Sequence, residues 1–528
     1  MKKTELEQSW LSAFEYLKKN SDFGVSDAKR LALSPEEDDA VSGYILWAAK
    51  GYLDNDGASV CSSFEHARLR FGQLPDVLRT LCLNYHAIIG DLPDAALGYA
   101  YRSAGLGFFS QAMEEMRIAF AADYRQGKCI LAEPSRLISA MHIYEGIAGQ
   151  LDSKRITHRS SLRREGKPRI GMLVPNLVDD TVAYSKRVMF YARNIDRHKY
   201  DFNIYISEDM AREGGTSYQR APLYFKELGE LGINIFCVSQ SLPMEEAACV
   251  LADRMEKDDL DKLIMQIDPA MPVAWCAACM ARIKLKLHIN IGASIFMPGL
   301  TYALYDNAFV MNEEKKIWDT RWGEQVFEPR GTDEKVLLGV VSESREKMGI
   351  PPGAAVIGVV GNHLDERMGP EYCRCIAEVM SLRSDIFFLV VGSVDKENKK
   401  VFFKDKSVDS RVIFAGPGRQ VGKYYQIMDV YAAEFPEGGS QALVEAMACG
   451  IPVVAMKCGT AHHTSISAQI VGDELAILKN SPDLYKQRLI KVISEPDFCM
   501  DIKVKIEKRF RKIYSIKDHV NRVCEMGF

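Results

Sequence analysis

The sequence predicts an α/β protein in which two doubly wound domains, each with a mainly parallel sheet, follow an all-helical region. Two series of short apolar segments alternate with helical stretches, which is the pattern of βαβ units. The first series, between Arg169 and Gly292, consists of RIGMLV, FNIYIS, INIFCV, KLIMQ and KLHINIG. The second, between Val356 and Met456, consists of VIGVVG, IFFLVVG, RVIFAG, VYAAEF and IPVVAM. Ligands of such sheets bind at the carboxyl ends of the strands, so a functional site is expected there.

Residues 1–165 are predicted to be helical, because leucine, alanine and aromatic residues recur at three- and four-residue spacing. In the clearest unit Gly107, Ala112 and Ala119 match the small residues of a tetratricopeptide repeat. Such a region could present a protein or peptide acceptor, or could only extend and stabilise the fold. We predict three domains, over residues 1–165, 166–330 and 331–528.

Composition and charge narrow the possible functions. The formal net charge is −4, so the chain lacks the basic field of a nucleic-acid-binding protein. No stretch approaches about 18 uncharged apolar residues, so no transmembrane segment is predicted, and the amino terminus lacks the apolar part of a signal peptide. The 13 cysteines are scattered as in reduced proteins, which predicts a cytoplasmic location. Cys276 and Cys279 have metal-site spacing, but they lie in an apolar helical run without a second pair, so no metal site is predicted.

Residues 424–456 carry the strongest functional signal. The strand VYAAEF is followed by a glycine-rich turn, after which Ser440 can cap a helix. A glycine-rich turn at the start of a helix offers free N–H groups and the positive end of the helix dipole, which suit a phosphate. Glu437 lies in the turn, and Glu445 lies eight positions later on the helix. Two carboxylates beside an anion site suit a diphosphate that carries hydroxyl-bearing groups on each side.

The segment EGGSQALVEAMACGIPVVA, together with Asp429 in the preceding strand, resembles the donor-site signature of retaining GT-B glycosyltransferases of family four, the group 1 transferases. The resemblance implies a GT-B fold, in which two Rossmann-like domains face a cleft and the final helix crosses back to the first. It implies that Glu437 orients the sugar and that Glu445 holds the nucleotide ribose. It also implies that the diphosphate lies on the turn, at Gly438, Gly439, Ser440 and Gln441.

This family usually places two basic residues after the first strand of the donor domain, and both meet the diphosphate. Here Asn362 stands at the first position, and Arg367 is the best candidate for the second. Arginine can bridge two phosphate oxygens, so Arg367 suits the role. Lys423, with Arg419, could supply the missing charge or could be a surface residue. The resemblance thus assigns Arg367 and Glu437 to catalysis and places Asn362 and Lys423 in the donor site.

Three histidines and the end of the first sheet domain give weaker signals. His462 and His463 could reach the donor or face solvent, and His288 is predicted to be packed inside a strand. Asp306 is predicted to begin a return strand in residues 290–314. This segment, with the helical region, is similar to cytosolic protein glycosyltransferases that have helical amino-terminal domains.

The family resemblance implies transfer of a hexose or N-acetylhexosamine from a nucleotide diphosphate sugar, with a UDP-sugar favoured and with retention of anomeric configuration. The acceptor would be a protein or peptide, or else a glycan or glycolipid. No cofactor besides the donor substrate is predicted, because the family often needs no metal. Two alternatives stay open. One is a catalytically inactive GT-B partner that presents an acceptor protein to a sister glycosyltransferase, and the other is a sugar-nucleotide epimerase on the same fold.

Overall fold

The computed structural model describes most of residues 12–528. The segments outside the description are residues 55, 72–73, 90–91, 126–133, 156–165, 179–182, 210–220, 290–296, 298, 307, 316–322, 363, 404–405, 419, 437 and 459–465. The chain forms two compact units. The first comprises Met1–Thr157, Ser239–Ala252 and Asp268–Met280, and the second comprises His158–Val238, Asp253–Ile267 and Ala281–Phe528. The three domains expected from the sequence stay a prediction.

The helices precede, connect and cover two parallel sheets. In the first half of the chain they are α1 (12–19), α2 (Val25–Ala32), α3 (Glu37–Leu53), α4 (Gly57–Phe71), α5 (Asp76–Ile89), α6 (Leu92–Gly105), α7 (Phe109–Arg125), α8 (Pro134–Asp152), α9 (Ala183–Asn194), α10 (Pro222–Glu230), α11 (Met244–Lys257) and α12 (Pro272–Met280). They continue with α13 (Ala308–Lys315), α14 (Glu334–Leu338), α15 (Leu364–Arg367), α16 (Pro370–Leu382), α17 (Lys396–Lys400), α18 (Lys406–Asp409), α19 (Gly422–Tyr425), α20 (Gln441–Ala448), α21 (Ile466–Val471), α22 (Pro482–Ser494), α23 (Pro496–Arg509), a π-helix (Phe510–Tyr514) and α24 (Ile516–Glu525). Within the described ranges, no helix is long and apolar enough to cross a membrane.

The first unit is helical, with α6 and α7 forming the hairpin expected from the repeat-like pattern. Gly107 lies in the connecting turn with a φ of 83°, a conformation that glycine adopts freely. Ala112 and Ala119 are fully buried, because their small side chains let neighbouring helices approach closely. Helix α12 belongs to the same unit, and its Trp275 stacks on Tyr144 of α8 with ring centroids 4.8 Å apart. Cys276 and Cys279 both lie on α12 as free thiols.

The second unit contains both sheets, and all strand pairs are parallel, which confirms the predicted fold class. The first sheet has the order β3-β2-β1-β4-β5-β6-β7, with bounds β1 (Arg169–Val174), β2 (Asp201–Ile206), β3 (Asn234–Cys237), β4 (Lys262–Met265), β5 (Leu285–Ile289), β6 (Tyr302–Tyr305) and β7 (Glu324–Phe327). The second has the order β10-β9-β8-β11-β12, with bounds β8 (Ala355–Gly361), β9 (Ile386–Gly392), β10 (Val412–Gly416), β11 (Val430–Ala432) and β12 (Val453–Val454). Buried parallel strands are continuous apolar runs, which is why they were predictable.

Two strand predictions need correction at their carboxyl ends. Asp306 does not begin a return strand, because the apolar residues of β6 end at Tyr305 and Asp306 lies just beyond them. Its carboxylate pairs with Arg330. Strand β11 is shorter than VYAAEF suggested, since it ends at Ala432 and leaves Glu434 past the strand. Both acids therefore stand at carboxyl ends of strands, where ligands bind in such sheets.

The last helix of the chain packs into the core of the first sheet. Val520 and Val523 of α24 are buried against strands of the first sheet and against helices that pack on it. The Lys262 ammonium of β4 donates to the carbonyl oxygen of Val523 at 3.3 Å. His519 and Arg522 of α24 both bind Glu328, which directly follows β7. The last helix is thereby tied to the first sheet and to the segment between the two sheets.

Gly392 is required where β9 ends beside β8. It has a φ of 143°, and a Cβ there would lie 1.8 Å from the carbonyl oxygen of Gly361. We expect Gly392→Ala to lower the free energy of unfolding by about 3 kcal/mol, because the backbone is strained and the clash involves backbone atoms. Gly353→Ala is the matched control, since its φ is also positive but no atom lies within 4 Å of the added Cβ. Equal losses for both variants in urea unfolding would contradict this explanation.

Candidate functional site

The glycine-rich turn lies between β11 and α20 and is shaped by close approaches. A Cβ on Gly438 would lie 2.0 Å from Ser467 Oγ, and a Cβ on Gly439 would lie 3.0 Å from Arg367 Nη1. Only glycine fits these positions without displacing a neighbour. Ser440 occupies the N-cap position of α20, but its side chain makes no capping hydrogen bond. Glu437, predicted to orient the sugar, lies outside the described residues.

Arg367 and Glu434 meet between the ends of β8 and β11. A Cβ built on Gly361 would lie 3.4 Å from Arg367 Nη1 and 3.6 Å from Glu434 Oε1. Glu434 is 1% exposed, and its carboxylate is in no ion pair among the described residues. Burial raises the pKa of Glu434 to about 7, although backbone amides of Glu434 itself and of Gly439 and the Arg367 charge act in the opposite direction. A buried carboxyl group with a raised pKa is typical of functional sites.

The raised pKa of Glu434 gives a stability test with a definite sign. Between its ordinary pKa of 4.5 and about 7, the folded protein keeps a proton that the unfolded chain releases. This stabilisation of the folded protein is fully present below pH 4.5 and is lost as the pH rises through about 7. We expect Glu434→Gln, which cannot titrate, to gain up to about 3 kcal/mol relative to wild type between pH 4.5 and 8. Parallel stability curves for the two proteins in urea unfolding would show that Glu434 titrates normally.

Glu445 faces the first sheet domain and is not aimed at bulk solvent. It is 2% exposed, and its Oε1 lies 3.0 Å from the Nζ of Lys186, which belongs to α9 behind β1. Its Oε2 accepts a hydrogen bond from the Tyr425 hydroxyl at 3.2 Å. Gln441 donates to Thr332 Oγ1 at 3.2 Å and is within 3.5 Å of Glu445 Oε1. The carboxylate predicted to bind ribose therefore lies between the two sheets.

Arg330 is influenced electrostatically by two other arginines, Arg187 and Arg367, which belong to different elements. Arg187 of α9 is buried, and its Nη1 has no hydrogen-bond partner among the described residues. Burial lowers the pKa of Arg187 to about 10. Arg330 follows β7 and pairs with Asp306, and burial lowers its pKa far below the usual value. The charges of Arg187 and Arg367 lower that pKa further, so both guanidinium groups act electrostatically on Arg330.

The balance of charges at this cluster favours an anion. Lys186 is matched by Glu445 and Arg330 by Asp306, but Arg187 has no acid within ion-pair distance in the described part of the chain. Glu434, beside Arg367, carries only part of a negative charge near neutral pH, because burial raises its pKa to about 7. The positive charges of Lys186, Arg187, Arg330 and Arg367 therefore exceed the negative charges of Glu445, Asp306 and Glu434. Clustered buried cations are unfavourable unless an anion binds among them.

The other predicted site residues lie apart from this cluster or outside the described residues. Lys423 pairs with Glu343 at 3.1 Å, which holds the pKa of the lysine above its usual range. Asn362 is exposed between β8 and α15. His288 is buried in β5, its Nε2 is 2.9 Å from the carbonyl oxygen of Ile267, and burial lowers its pKa to about 4. Arg419, His462 and His463 are outside the described residues.

Sequence reasoning missed Glu434, Lys186, Arg187 and Arg330. A weak signal existed for Glu434, since it is an acid inside an apolar run directly before the turn. Lys186 and Arg187 are consecutive basic residues on the helix after the first strand, as is common on solvated helix faces. No group of three or more acidic, histidine or cysteine side chains in the described ranges is placed to hold a metal ion.

Comparisons with known proteins agree with this geometry. Residues 340–509 match the family model described as glycosyl transferases group 1, and no curated protein sequence matches the chain. A mutant O-GlcNAc transferase of Thermobaculum terrenum is similar over 99% of this chain and 97% of its own, at 15% identity and a TM-score of 0.54. A glycosyltransferase of Rickettsia africae is similar over 68% of this chain and 97% of its own, at 14% identity and a TM-score of 0.54. Anabaena HepE, solved with UDP and glucose, is similar over 68% of this chain and 98% of its own, at 12% identity and a TM-score of 0.51. These likenesses confirm the predicted GT-B fold.

Proposed function

We propose that this GT-B glycosyltransferase, whose residues 340–509 match the group 1 family, moves a hexose or N-acetylhexosamine from a nucleoside diphosphate sugar to an acceptor, with retention. The observation that supports the donor most directly is the approach of the Arg367 guanidinium to the Gly438–Gly439 turn, where a Cβ on Gly439 would lie 3.0 Å from Arg367 Nη1. An arginine beside a glycine-rich turn at the start of a helix suits a diphosphate better than a neutral ligand. HepE binds UDP, which favours a UDP-sugar as the donor.

The proposed chemistry depends on stabilising the leaving group. As the bond between the anomeric carbon and the phosphate oxygen breaks, negative charge gathers on the diphosphate. Amides of Gly438, Gly439 and Ser440 and the Arg367 guanidinium would meet that charge, and each preorganised donor is typically worth roughly 100- to 1000-fold in rate. Glu445 would hold the ribose hydroxyls and Glu437 the sugar. Because the arginines supply the positive charge, the proposal needs no metal ion or other cofactor.

The acceptor is proposed to be a protein or peptide, in preference to a glycan or glycolipid. One structure that is similar over almost the whole chain, helical unit included, belongs to an O-GlcNAc transferase. The group 1 match, in contrast, covers only the second sheet domain and carries no acceptor information. A cytoplasmic location stays a prediction from the sequence.

A second candidate function is a catalytically inactive partner that presents an acceptor protein to a sister enzyme. The observation in its favour is Asn362, which is uncharged at a position where the group 1 resemblance expects a cation and is exposed between β8 and α15. Such a partner would keep the fold and lose transfer.

Radiolabelled donors distinguish these functions. The protein is incubated with a cell lysate and labelled UDP-N-acetylhexosamine or UDP-hexose, and label is measured in protein and lipid fractions. The proposal expects label in protein and an unchanged donor when the lysate is left out. Label in lipid alone would contradict the protein acceptor. Absence of both transfer and saturable UDP binding would favour the inactive partner, and an epimerised donor would favour the epimerase.

A further inference from the structure

One ion pair links the two sheet domains directly at the proposed ribose position. Lys186 lies on α9 after the first strand of the first sheet, and Glu445 lies on α20 after the turn of the second sheet. Their charged atoms are 3.0 Å apart, and the side chains are 19% and 3% exposed. Solvent screens a pair shielded to this degree less than it screens a surface pair.

The two partners differ in what else they bind. Glu445 also accepts from Tyr425, and Gln441 is nearby, so its oxygens are satisfied without solvent. Among the residues that the structure describes, Glu445 is the one hydrogen-bond acceptor of the Lys186 ammonium. A lysine ammonium is a compact charge on a flexible four-carbon stem and can change partners by rotating its side chain. Lys186 is thus the member of the pair that can exchange its partner more easily.

We propose that Lys186 is a donor-site residue that binds Glu445 in the free protein and moves to the diphosphate when ribose hydroxyls take its place. This inference rests on the proposed function, which puts ribose at Glu445 and the diphosphate at the adjacent turn. Lys186 would thereby supply, from the first sheet domain, the positive charge that is missing at Asn362 in the second sheet domain. No covalent bond changes in this exchange, and the total charge is conserved.

The exchange has a thermodynamic consequence that separates it from a purely structural link. A nucleoside without phosphates must break the Lys186–Glu445 pair and offers the lysine no new partner. A nucleoside diphosphate breaks the same pair but provides phosphate oxygens for the ammonium. Lys186 should therefore oppose binding of a nucleoside and favour binding of its diphosphate. Its removal should change the ratio of the two affinities.

Calorimetric titration of UDP and uridine tests this for wild type, Lys186→Gln, Lys186→Arg and the control Lys226→Gln. Lys226 lies on α10 of the same unit, and its side chain is 74% exposed. In Lys186→Gln we expect the advantage of UDP over uridine to fall roughly 10- to 100-fold, the worth of one charged hydrogen bond. Uridine itself should bind at least as well as to wild type. Lys186→Arg should keep most of the advantage, and Lys226→Gln all of it.

An unchanged ratio in Lys186→Gln, or an equal loss for UDP and uridine, would show that the lysine only joins the two domains and would overturn the inference. Uridine binding by this variant also reports that its site is folded. If Lys186→Gln bound neither ligand, the decision would rest on Lys186→Arg. A ratio of UDP affinity to uridine affinity in Lys186→Arg that is far from the wild-type ratio would overturn the exchange. Failure of wild type to bind UDP would contradict the proposed donor site itself.

Discussion

Replacement of Glu445 with alanine is expected to weaken binding of UDP by at least about 100-fold, to the point where saturation is lost in titration calorimetry. The ribose hydroxyls lose a charged acceptor, and each hydrogen bond to a charged group is worth about 1.5–3 kcal/mol. The substitution also releases Lys186, which offsets part of this loss because no ion pair then has to be broken on binding.

Two comparisons keep this result interpretable. Glu378→Ala is the matched control, because Glu378 is exposed on α16 of the same sheet domain and pairs with Lys486. Glu445→Gln keeps the volume of the side chain and should weaken UDP binding less than alanine does. Thermal unfolding of each variant separates loss of the site from loss of the fold. If folded Glu445→Ala bound UDP as wild type does, the ribose assignment would be wrong.

Arg367→Met is expected to reduce kcat/KM for sugar transfer by roughly 100- to 1000-fold, the typical effect of removing one preorganised group at a developing charge. The loss should fall mainly on kcat, because charge on the leaving diphosphate is greatest in the transition state. Initial rates of labelled-sugar transfer at several donor concentrations provide both constants. Arg374→Met, at an exposed position on α16 close by in sequence, is the control and should match wild type.

The same substitution has a second readout at Glu434. The Arg367 charge lowers the pKa of this buried carboxyl group, so its loss should raise the pKa above about 7. The pH window in which stability falls with rising pH should then move upward. A variant with unchanged kcat/KM, or with an unchanged pH dependence of stability, would show that Arg367 does not act at this place.

The fold was largely predictable because each strand carries its own signal. Buried parallel strands are unbroken apolar runs, and RIGMLV and IFFLVVG correspond to β1 and β9 residue for residue. The glycine turn was equally local, since a strand, two glycines and a helix start can be recognised within 12 residues or so. The structure gives both glycines a reason, because neighbouring side chains leave no room for a Cβ.

The rest of the site was not predictable, because it depends on distant parts of the chain. Lys186 and Glu445 are 259 positions apart, and nothing local to either shows that they meet. Arg187 and Arg330 resemble ordinary polar residues until the fold buries Arg187 and pairs Arg330 with Asp306. Lys423 was a reasonable candidate by position, but Glu343 binds it in the structure. Pairing between distant charges is settled by tertiary packing, and sequence spacing carries no trace of it.

A structure of the protein with UDP bound tests the central claim most directly. The account predicts that the β-phosphate lies within hydrogen-bond distance of the Gly438 and Gly439 amides and of the Arg367 guanidinium. It also predicts that the ribose hydroxyls bind Glu445. A diphosphate bound elsewhere on the chain, or a turn left empty at saturating UDP, would contradict it.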